Sequence, residues 1–270
     1  MMSKAIELIN RHYDNGMYDP LVEERYGRSD FCNWGYWEPS TRTQREASEG
    51  LVEKLLAFIP QKKGTILDVA CGKGATTRYL LNYYSPETVT GINISEKQLA
   101  RCKVNAPGCN FLLMSATELG FQDDSFDNII CVEAAFHFNT REKFLRQVYR
   151  VLKPGGRLVL SDILRPKNFA WNKLEPPANY VMNLCEYRDV YLRSGFDNVT
   201  IVDATFKCGV QFFRRASRFW HTKFLRGEIA PWTLRQRLKS LYRRQWQNFG
   251  GPECSFYVLV SAERVSREIS

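Results

Sequence analysis

Between Thr65 and Leu164 the chain alternates short apolar runs with amphipathic segments, and this alternation restricts its fold more than any other feature. The apolar runs are "TILDVA" (65–70), "TVTGINI" (88–94), "NFLLMS" (110–115), "FDNIICVEA" (126–134) and "RLVLSDIL" (157–164). Short, nearly continuous apolar runs of this kind read as strands buried on both faces. The intervening segments have helical periodicity. In "SEKQLARCKVNA" (95–106), Ser95 and Gln98 have capping-box spacing. In "NTREKFLRQVYRVLK" (139–153), Phe144, Val148, Val151 and Leu152 share one face, and Pro154-Gly155-Gly156 ends the helix. Such an alternation predicts a parallel sheet with helices on both faces, its first strands joined by right-handed crossovers.

The flanks follow a different pattern. Up to about Pro60 the chain reads as helices and aromatic loops, with Ala47, Leu51, Leu55 and Phe58 on one helical face. Beyond Leu164 a helix is expected within 179–195 and a strand at 198–204. A basic helical insert and a last strand, "CSFYVLVSAER" (254–264), close the chain, and the long insertion predicts that this strand is antiparallel and at or near an edge. With 44% hydrophobic residues the chain buries a substantial core. No 18-residue apolar run is present to span a bilayer, and the start "MMSKAIELINRHYDNG" has charges where an export signal needs its apolar centre. The eight cysteines form no C-x-x-C pair and no cluster with histidine, which argues against zinc or redox work and suits a reducing cytoplasm. Of the net charge of +9, the segment 207–247 accounts for more than all, with eleven Lys or Arg residues against the single acid Glu228.

The segment "TILDVACGKGATTRYL" (65–80) places a carboxylate, Asp68, just ahead of a turn with two glycines, Gly72 and Gly74. A dinucleotide site wants a third glycine and an acid roughly 20 residues on, and here the second strand ends in Asn93 instead. No G-K-[ST] is present for a Walker loop. A carboxylate repels phosphate but attracts an ammonium group, so the turn suits a nucleoside-like ligand with a cationic, amino-acid-like tail.

At this point "DVACGKG" resembles the D-x-G-x-G-x-G signature of class I S-adenosylmethionine-dependent methyltransferases, with Ala70 in place of the first glycine. "GINISEKQ", "FLLMSATELGFQDDSFDNIICVEAAFHF" and "VYRVLKPGGRLVLSD" are similar to later segments of that family, in order, across 65–162. Upstream, "HYD" and "FCNWGYW" resemble its branch acting on sugars, sterols, phosphobases and other natural products. The resemblance implies an α/β fold: a Rossmann-like, doubly wound, mostly parallel seven-stranded sheet with an antiparallel last strand and helical cap insertions. It implies one methyltransferase domain over 1–270, divided into an N-terminal helical and aromatic cap (1–60), a cofactor-binding core (61–164), core with a cap helix and sixth strand (165–206), a basic helical lid (207–250) and the last strand (251–270). S-adenosylmethionine would be the cofactor, held by Asp68, Ala70, Gly72, Gly74, Asn93, Ile94, Gln98, Ser115, Ala116, Thr117, Val132, Asn33 and Trp34, with no metal. Asn93 stands in place of a ribose-binding acid, and Ser115 where relatives carry Asp beside the adenine.

Methyl transfer to a hydroxyl requires alignment, exclusion of water and removal of a proton. His137, just after the fourth strand-like run, is the expected base or orienter of the acceptor, against the alternative of a packed histidine in an aromatic loop. Asp162, after the fifth, either assists it or caps a turn. Tyr13 matches a tyrosine that pairs with the histidine in the phosphobase enzymes. Glu133 is expected to be structural or cofactor-adjacent. The aromatic cluster Tyr13, Tyr18, Tyr26, Phe31, Trp34, Tyr36 and Trp37 either closes over a sulfonium or forms a mini-core. In the basic insert, Leu234, Leu238, Leu241 and Tyr242 share a helical face, which predicts a packed lid with a solvated charged side. Capture of an anionic acceptor, RNA binding and membrane-surface attachment are the sharper alternatives. A small-molecule acceptor is the expected partner, most of all a hydroxyl of a largely apolar natural product, with nitrogen and carbon acceptors as alternatives; nucleic acid is disfavoured and a nicotinamide oxidoreductase is the rival enzyme class.

Overall fold

The computed structural model describes residues 4–165, 174–249 and 255–265, apart from the side chains of residues 5 and 247. Residues 166–173, where the insertion after the fifth strand begins, and Cys254, the expected start of the last strand, lie outside the described residues.

Seven strands form one sheet: β1 (Ile66–Val69), β2 (Val89–Asn93), β3 (Asn110–Leu113), β4 (Phe126–Val132), β5 (Leu152–Leu164), β6 (Asp197–Asp203) and β7 (Phe256–Glu263). Their order is β3-β2-β1-β4-β5-β7-β6. Strands β1 to β5 pair in parallel, and β7 lies antiparallel between β5 and β6. The last strand is therefore second from the edge, as its place after a long insertion requires. The chain winds outward from β1 through β2 to β3, then returns to β4 beside β1. That reversal opens a crevice at the carboxyl ends of β1 and β4, where open α/β sheets hold ligands.

The nine α-helices among the described residues are α1 (Lys4–Met17), α2 (Pro20–Arg25), α3 (Gln44–Leu56), α4 (Ala75–Leu80), α5 (Glu96–Asn105), α6 (Arg141–Val151), α7 (Leu184–Arg193), α8 (Gln211–Leu225) and α9 (Pro231–Phe249). Because strand side chains alternate, neighbours in one run serve opposite faces. Leu67, Ile129 and Leu160 pack with Phe144 and Val148 of α6 and Tyr187 of α7. Ile66, Ile130 and Val159 pack with Leu51 and Leu55 of α3 and Leu80 of α4. Both faces are covered, which is why the strands are apolar throughout. Helix α6 already ends at Val151, and Pro154-Gly155-Gly156, expected to end it, lies within β5. Gly155, at φ +78°, takes up a register shift in which Phe126 faces Leu152 and Asn128 faces Arg157.

A third cluster joins the N-terminal cap to the lid: Tyr26, Phe212, Phe213, Trp220 and Leu241, with Trp34 and Phe249 against them. No helix among the described residues is long and apolar enough to cross a membrane.

Candidate active site

The turn between β1 and α4 is built on left-handed backbone. Ala70, Gly72 and Gly74 have φ of +58°, +57° and +83°. A Cβ on Gly74 would lie 2.9 Å from Cys102 Cα, so that position needs glycine for space as well as conformation. Ala70 has no such licence and adopts a conformation that L-residues avoid. Asp68 is buried at the end of β1, and its only hydrogen-bond donor among the described residues is the Thr77 hydroxyl, 2.6 Å from Oδ2. Burial pushes its carboxyl up to about 7, the Thr77 bond opposing. Asp68 is thus a partly unsatisfied carboxylate that gains from a nearby cation.

At the end of β2, Asn93 is fully engaged within the chain. Its Oδ1 accepts from the N–H groups of Ile94 (2.7 Å) and Ser95 (3.2 Å), and its Nδ2 donates to Gly72 O (3.2 Å) and Gln98 Oε1 (3.0 Å). All the bonding capacity of the amide is used, so Asn93 holds the glycine turn against α5. Ser95 caps α5 by accepting from Gln98 N, but the Gln98 side chain turns to Asp14 (2.8 Å) rather than completing the capping box. Further along the crevice, Ser115 Oγ accepts from Thr117 N (3.3 Å) and lies 3.1 Å from Thr117 Oγ1, with Ala116 buried between them. Val132 ends β4, half-buried.

Helix α1, which carries the "HYD" segment, lies over this crevice. Asn10 Nδ2 donates to Ile94 O (2.8 Å), Asp14 accepts from Ser95 Oγ (2.9 Å), and Tyr18 OH donates to Lys97 O (3.1 Å). Lys73, buried in the glycine turn, donates to Met17 O (2.9 Å) and pairs with Asp30 (2.9 Å) and Glu23 (3.1 Å). The spacing of residues 10 and 14 puts two of these polar groups on one helical face, and Tyr18 follows one residue past the helix.

The same helix places Tyr13 OH 2.6 Å from His137 Nε2. His137 Nδ1 lies 3.0 Å from Leu174 O. A carbonyl can only accept, so Nδ1 carries the proton and Nε2 offers a lone pair to Tyr13. Burial pushes His137 down to about 3, keeping the ring neutral, and raises the Tyr13 hydroxyl above its ordinary range.

Asp162 does not join this pair, which corrects the expectation that it assists His137. It is fully buried, accepting from Arg141 Nε (2.7 Å), Tyr187 OH (2.8 Å) and Ile163 N (2.8 Å). Its influence on His137 is indirect. Arg141 N donates to Asn179 Oδ1 (2.8 Å), and Asn179 Nδ2 donates to the carbonyls of Phe136 (3.1 Å) and Phe138 (2.7 Å), on either side of His137.

Glu133, at φ +50°, accepts from Trp34 N (2.6 Å) and Tyr257 OH (2.5 Å), both at Oε1. Its Oε2 has no hydrogen bond among the described residues, and burial pushes its carboxyl up to about 8. Trp34 reaches the site through its backbone. Its ring stacks on Phe212 (5.3 Å, 7°), so the ring anchors the lid. The neighbouring Asn33 Oδ1 is buried and accepts no hydrogen bond among the described residues, an orphan acceptor in the loop beside Glu133. Arg165, buried and paired with Glu175, lies over the Phe136 ring (5.1 Å) and donates to Asn248 Oδ1 (3.2 Å), tying α9 to the His137 turn. In the lid, Leu241 is buried and Leu234 and Leu238 pack against the same cluster, as their spacing predicts. Tyr242 departs from that face and is exposed, within 3.0 Å of the Ser217 hydroxyl.

Residues 67–160 match the family model described as "Methyltransferase domain". A 27-O-demethylrifamycin SV methyltransferase of Amycolatopsis mediterranei is 34% identical over 163 residues, spanning 58% of this chain and 58% of that protein. The chain thus spans little more than half the length of the curated relatives it matches. Among solved structures, the cyclopropane synthase MmaA2 of Mycobacterium tuberculosis superposes with a TM-score of 0.75 at 17% identity, over 96% of this chain and 98% of that one. A Haemonchus contortus phosphoethanolamine N-methyltransferase 2 in complex with S-adenosyl-L-methionine gives 0.72 at 16% identity, over 98% of this chain and 61% of that one. At these identities the two structures establish the fold.

Proposed function

We propose that this chain, whose residues 67–160 match the model of a methyltransferase domain, is a class I S-adenosylmethionine-dependent methyltransferase that methylates a hydroxyl of a small, largely apolar acceptor. The observation that carries the cofactor assignment is Asp68, a buried carboxylate with one donor, beside a turn whose glycines leave the backbone bare. These residues fit an adenosyl ligand with an ammonium tail. Asp68 would hold the ammonium group, the Gly72–Gly74 backbone would lie against the ligand, and Ala116 would border the adenine. Asn33 Oδ1 supplies a further unfilled acceptor. When bound, S-adenosylmethionine supplies a methyl group on a cationic sulfur.

What the chain itself contributes is orientation and a proton acceptor. Leu174 O fixes the His137 tautomer so that Nε2 faces the Tyr13 hydroxyl with its lone pair. An acceptor hydroxyl that replaces the Tyr13 contact would be oriented by Nε2 and would lose its proton to it as the new C–O bond forms. With its basicity depressed by burial, His137 stays neutral at pH 7 and acts as an orienting acceptor that takes a proton only late in the transfer. Closure of α1 and the aromatic cap excludes water. The rifamycin relative, named for a demethylated oxygen, supports a hydroxyl acceptor.

A nitrogen acceptor is the second reading, favoured by Glu133, whose Oε2 is unused and could hold an amine. The test is a panel of hydroxyl and amine acceptors assayed with labelled S-adenosylmethionine. With a hydroxyl acceptor, His137→Ala should lower kcat roughly 100-fold or more while leaving cofactor affinity unchanged. Labelling of amines alone, unaffected by His137→Ala but abolished by Glu133→Gln, would replace the first reading by the second.

A further inference from the structure

Helix α9 has two faces, and among the described residues its apolar packing is confined to one of them. Leu234, Leu238 and Leu241 pack inward against Phe212, Phe213 and Trp220. At 100° per residue, Trp232, Arg235, Lys239, Arg243 and Trp246 project away from that stripe, within an arc of about 80°. All five are exposed. Trp232 is 71% exposed and Trp246 69%, and their separation by fourteen positions sets the two residues about 21 Å apart along the helix. At the turn leading into α9, Leu225 is 82% exposed. Isolated exposed apolar residues are ordinary, but two solvent-facing tryptophans in register, flanked by cations, form a patch that calls for a partner.

We propose that this face docks the protein on an anionic lipid bilayer surface, lying on the membrane rather than crossing it. The charge is complementary to such a surface: Arg235, Lys239 and Arg243 share the face with no acid, within a lid that has a single acid between 207 and 247. Indole rings favour the headgroup region, where their apolar body and polar N–H are both accommodated. Long basic side chains reach the lipid phosphates while their stems lie along the interface. Single-stranded nucleic acid also pairs cations with rings, but it uses a groove that tracks the backbone. Here the face is the convex side of a helix, and the most exposed apolar residue beside it, Leu225, has no ring on which a base could stack. The inference stands apart from methyl transfer, since none of these residues borders the crevice at the ends of β1 and β4.

The test is co-sedimentation of the full chain with vesicles of phosphatidylcholine alone or with 30% phosphatidylglycerol, read with tryptophan emission. The expected result is retention on the anionic vesicles with a blue shift, and none on the neutral ones. Trp232→Ala with Trp246→Ala should abolish the shift and most of the binding. Neutralising Arg235, Lys239 and Arg243 together should weaken partitioning roughly 100- to 200-fold. These side chains are solvent-exposed, so far-ultraviolet circular dichroism should show each variant folded. No retention on anionic vesicles, or retention unchanged by both variants, would overturn the proposal. So would tighter binding of a single-stranded oligonucleotide than of vesicles, or a concentration-dependent dimer that the tryptophan variant dissolves.

Discussion

Replacing Asp162 by asparagine should unfold this protein more readily rather than silence it. The carboxylate is 0% exposed and its Arg141 partner is 5% exposed in its side chain. Two bonds from Arg141, at 2.7 Å and 3.3 Å, converge on the carboxylate together with the Tyr187 hydroxyl. In the variant, Arg141 keeps the carbonyls of Asn179 and Ile163 but loses its counter-charge inside the core. Removing one partner of a buried ion pair costs roughly 3–5 kcal/mol, a large share of a total stability of about 5–15 kcal/mol. At roughly 2–4 °C per kcal/mol, the melting temperature should fall by about 6–20 °C. Guanidinium denaturation followed by circular dichroism measures the loss, and turnover per folded molecule should stay within about tenfold of the parent. Replacing both partners, Asp162→Leu with Arg141→Met, should be less damaging than Asp162→Asn alone, since no unpaired charge remains. A variant Asp162→Asn that is as stable as the parent, yet a thousandfold slower, would make Asp162 a chemical group and refute this reasoning.

Three further outcomes are expected. Ala70→Gly should raise stability by about 0.5–1 kcal/mol, because relief of a left-handed alanine exceeds the extra entropy lost by glycine; a fall in melting temperature would mean that the alanine methyl packs usefully. Glu133→Gln keeps an acceptor for Trp34 N and Tyr257 OH while removing a carboxyl raised to about 8 by burial. A carboxyl whose pKa is higher folded than unfolded stabilises fully below about pH 4, and that contribution is lost as pH rises through about 8. The variant's stability should therefore decline less steeply between pH 5 and 7, by up to about 1.4 kcal/mol per pH unit, and an unchanged slope in pH-dependent denaturation would count against a buried carboxyl there. Asp14→Ala removes the contacts of α1 with Ser95 and Gln98, so amide exchange in α1 should accelerate while exchange in β1 and β4 does not.

The strands were legible because burial on both faces forces continuous apolar runs, and the helices because only one stripe of each is buried. Position along the chain also located the site, since strand ends at the reversal of strand order hold ligands whatever their chemistry. What the sequence could not show is which neighbour each polar group would find. Asp162 stands after a strand as a catalytic acid would, but Arg141, 21 residues earlier in the chain, claims it. Asn93 stands where a ribose partner would, and nothing in the sequence shows that its amide bonds run to Gly72, Ile94, Ser95 and Gln98. The sign of φ at Ala70 decides whether that substitution is benign, and it depends on the turn as a whole. The docking of α1 rests on Asn10 and Asp14, with Tyr18 just past the helix, and the turning of the Trp34 ring to Phe212 depends on a helix nearly 180 residues away.

The central claim is that the Asp68 turn holds an adenosyl ligand with a cationic tail. Calorimetric titration with S-adenosylmethionine and S-adenosylhomocysteine, with NADH as the control and Asp68→Asn in parallel, tests it most directly. The expected result is a Kd on the order of 1 μM for both adenosyl ligands, about −8 kcal/mol, with no heat from NADH and at least tenfold weaker binding by Asp68→Asn. No heat from either adenosyl ligand on a folded sample, or equal affinity in the Asp68→Asn variant, would contradict the account.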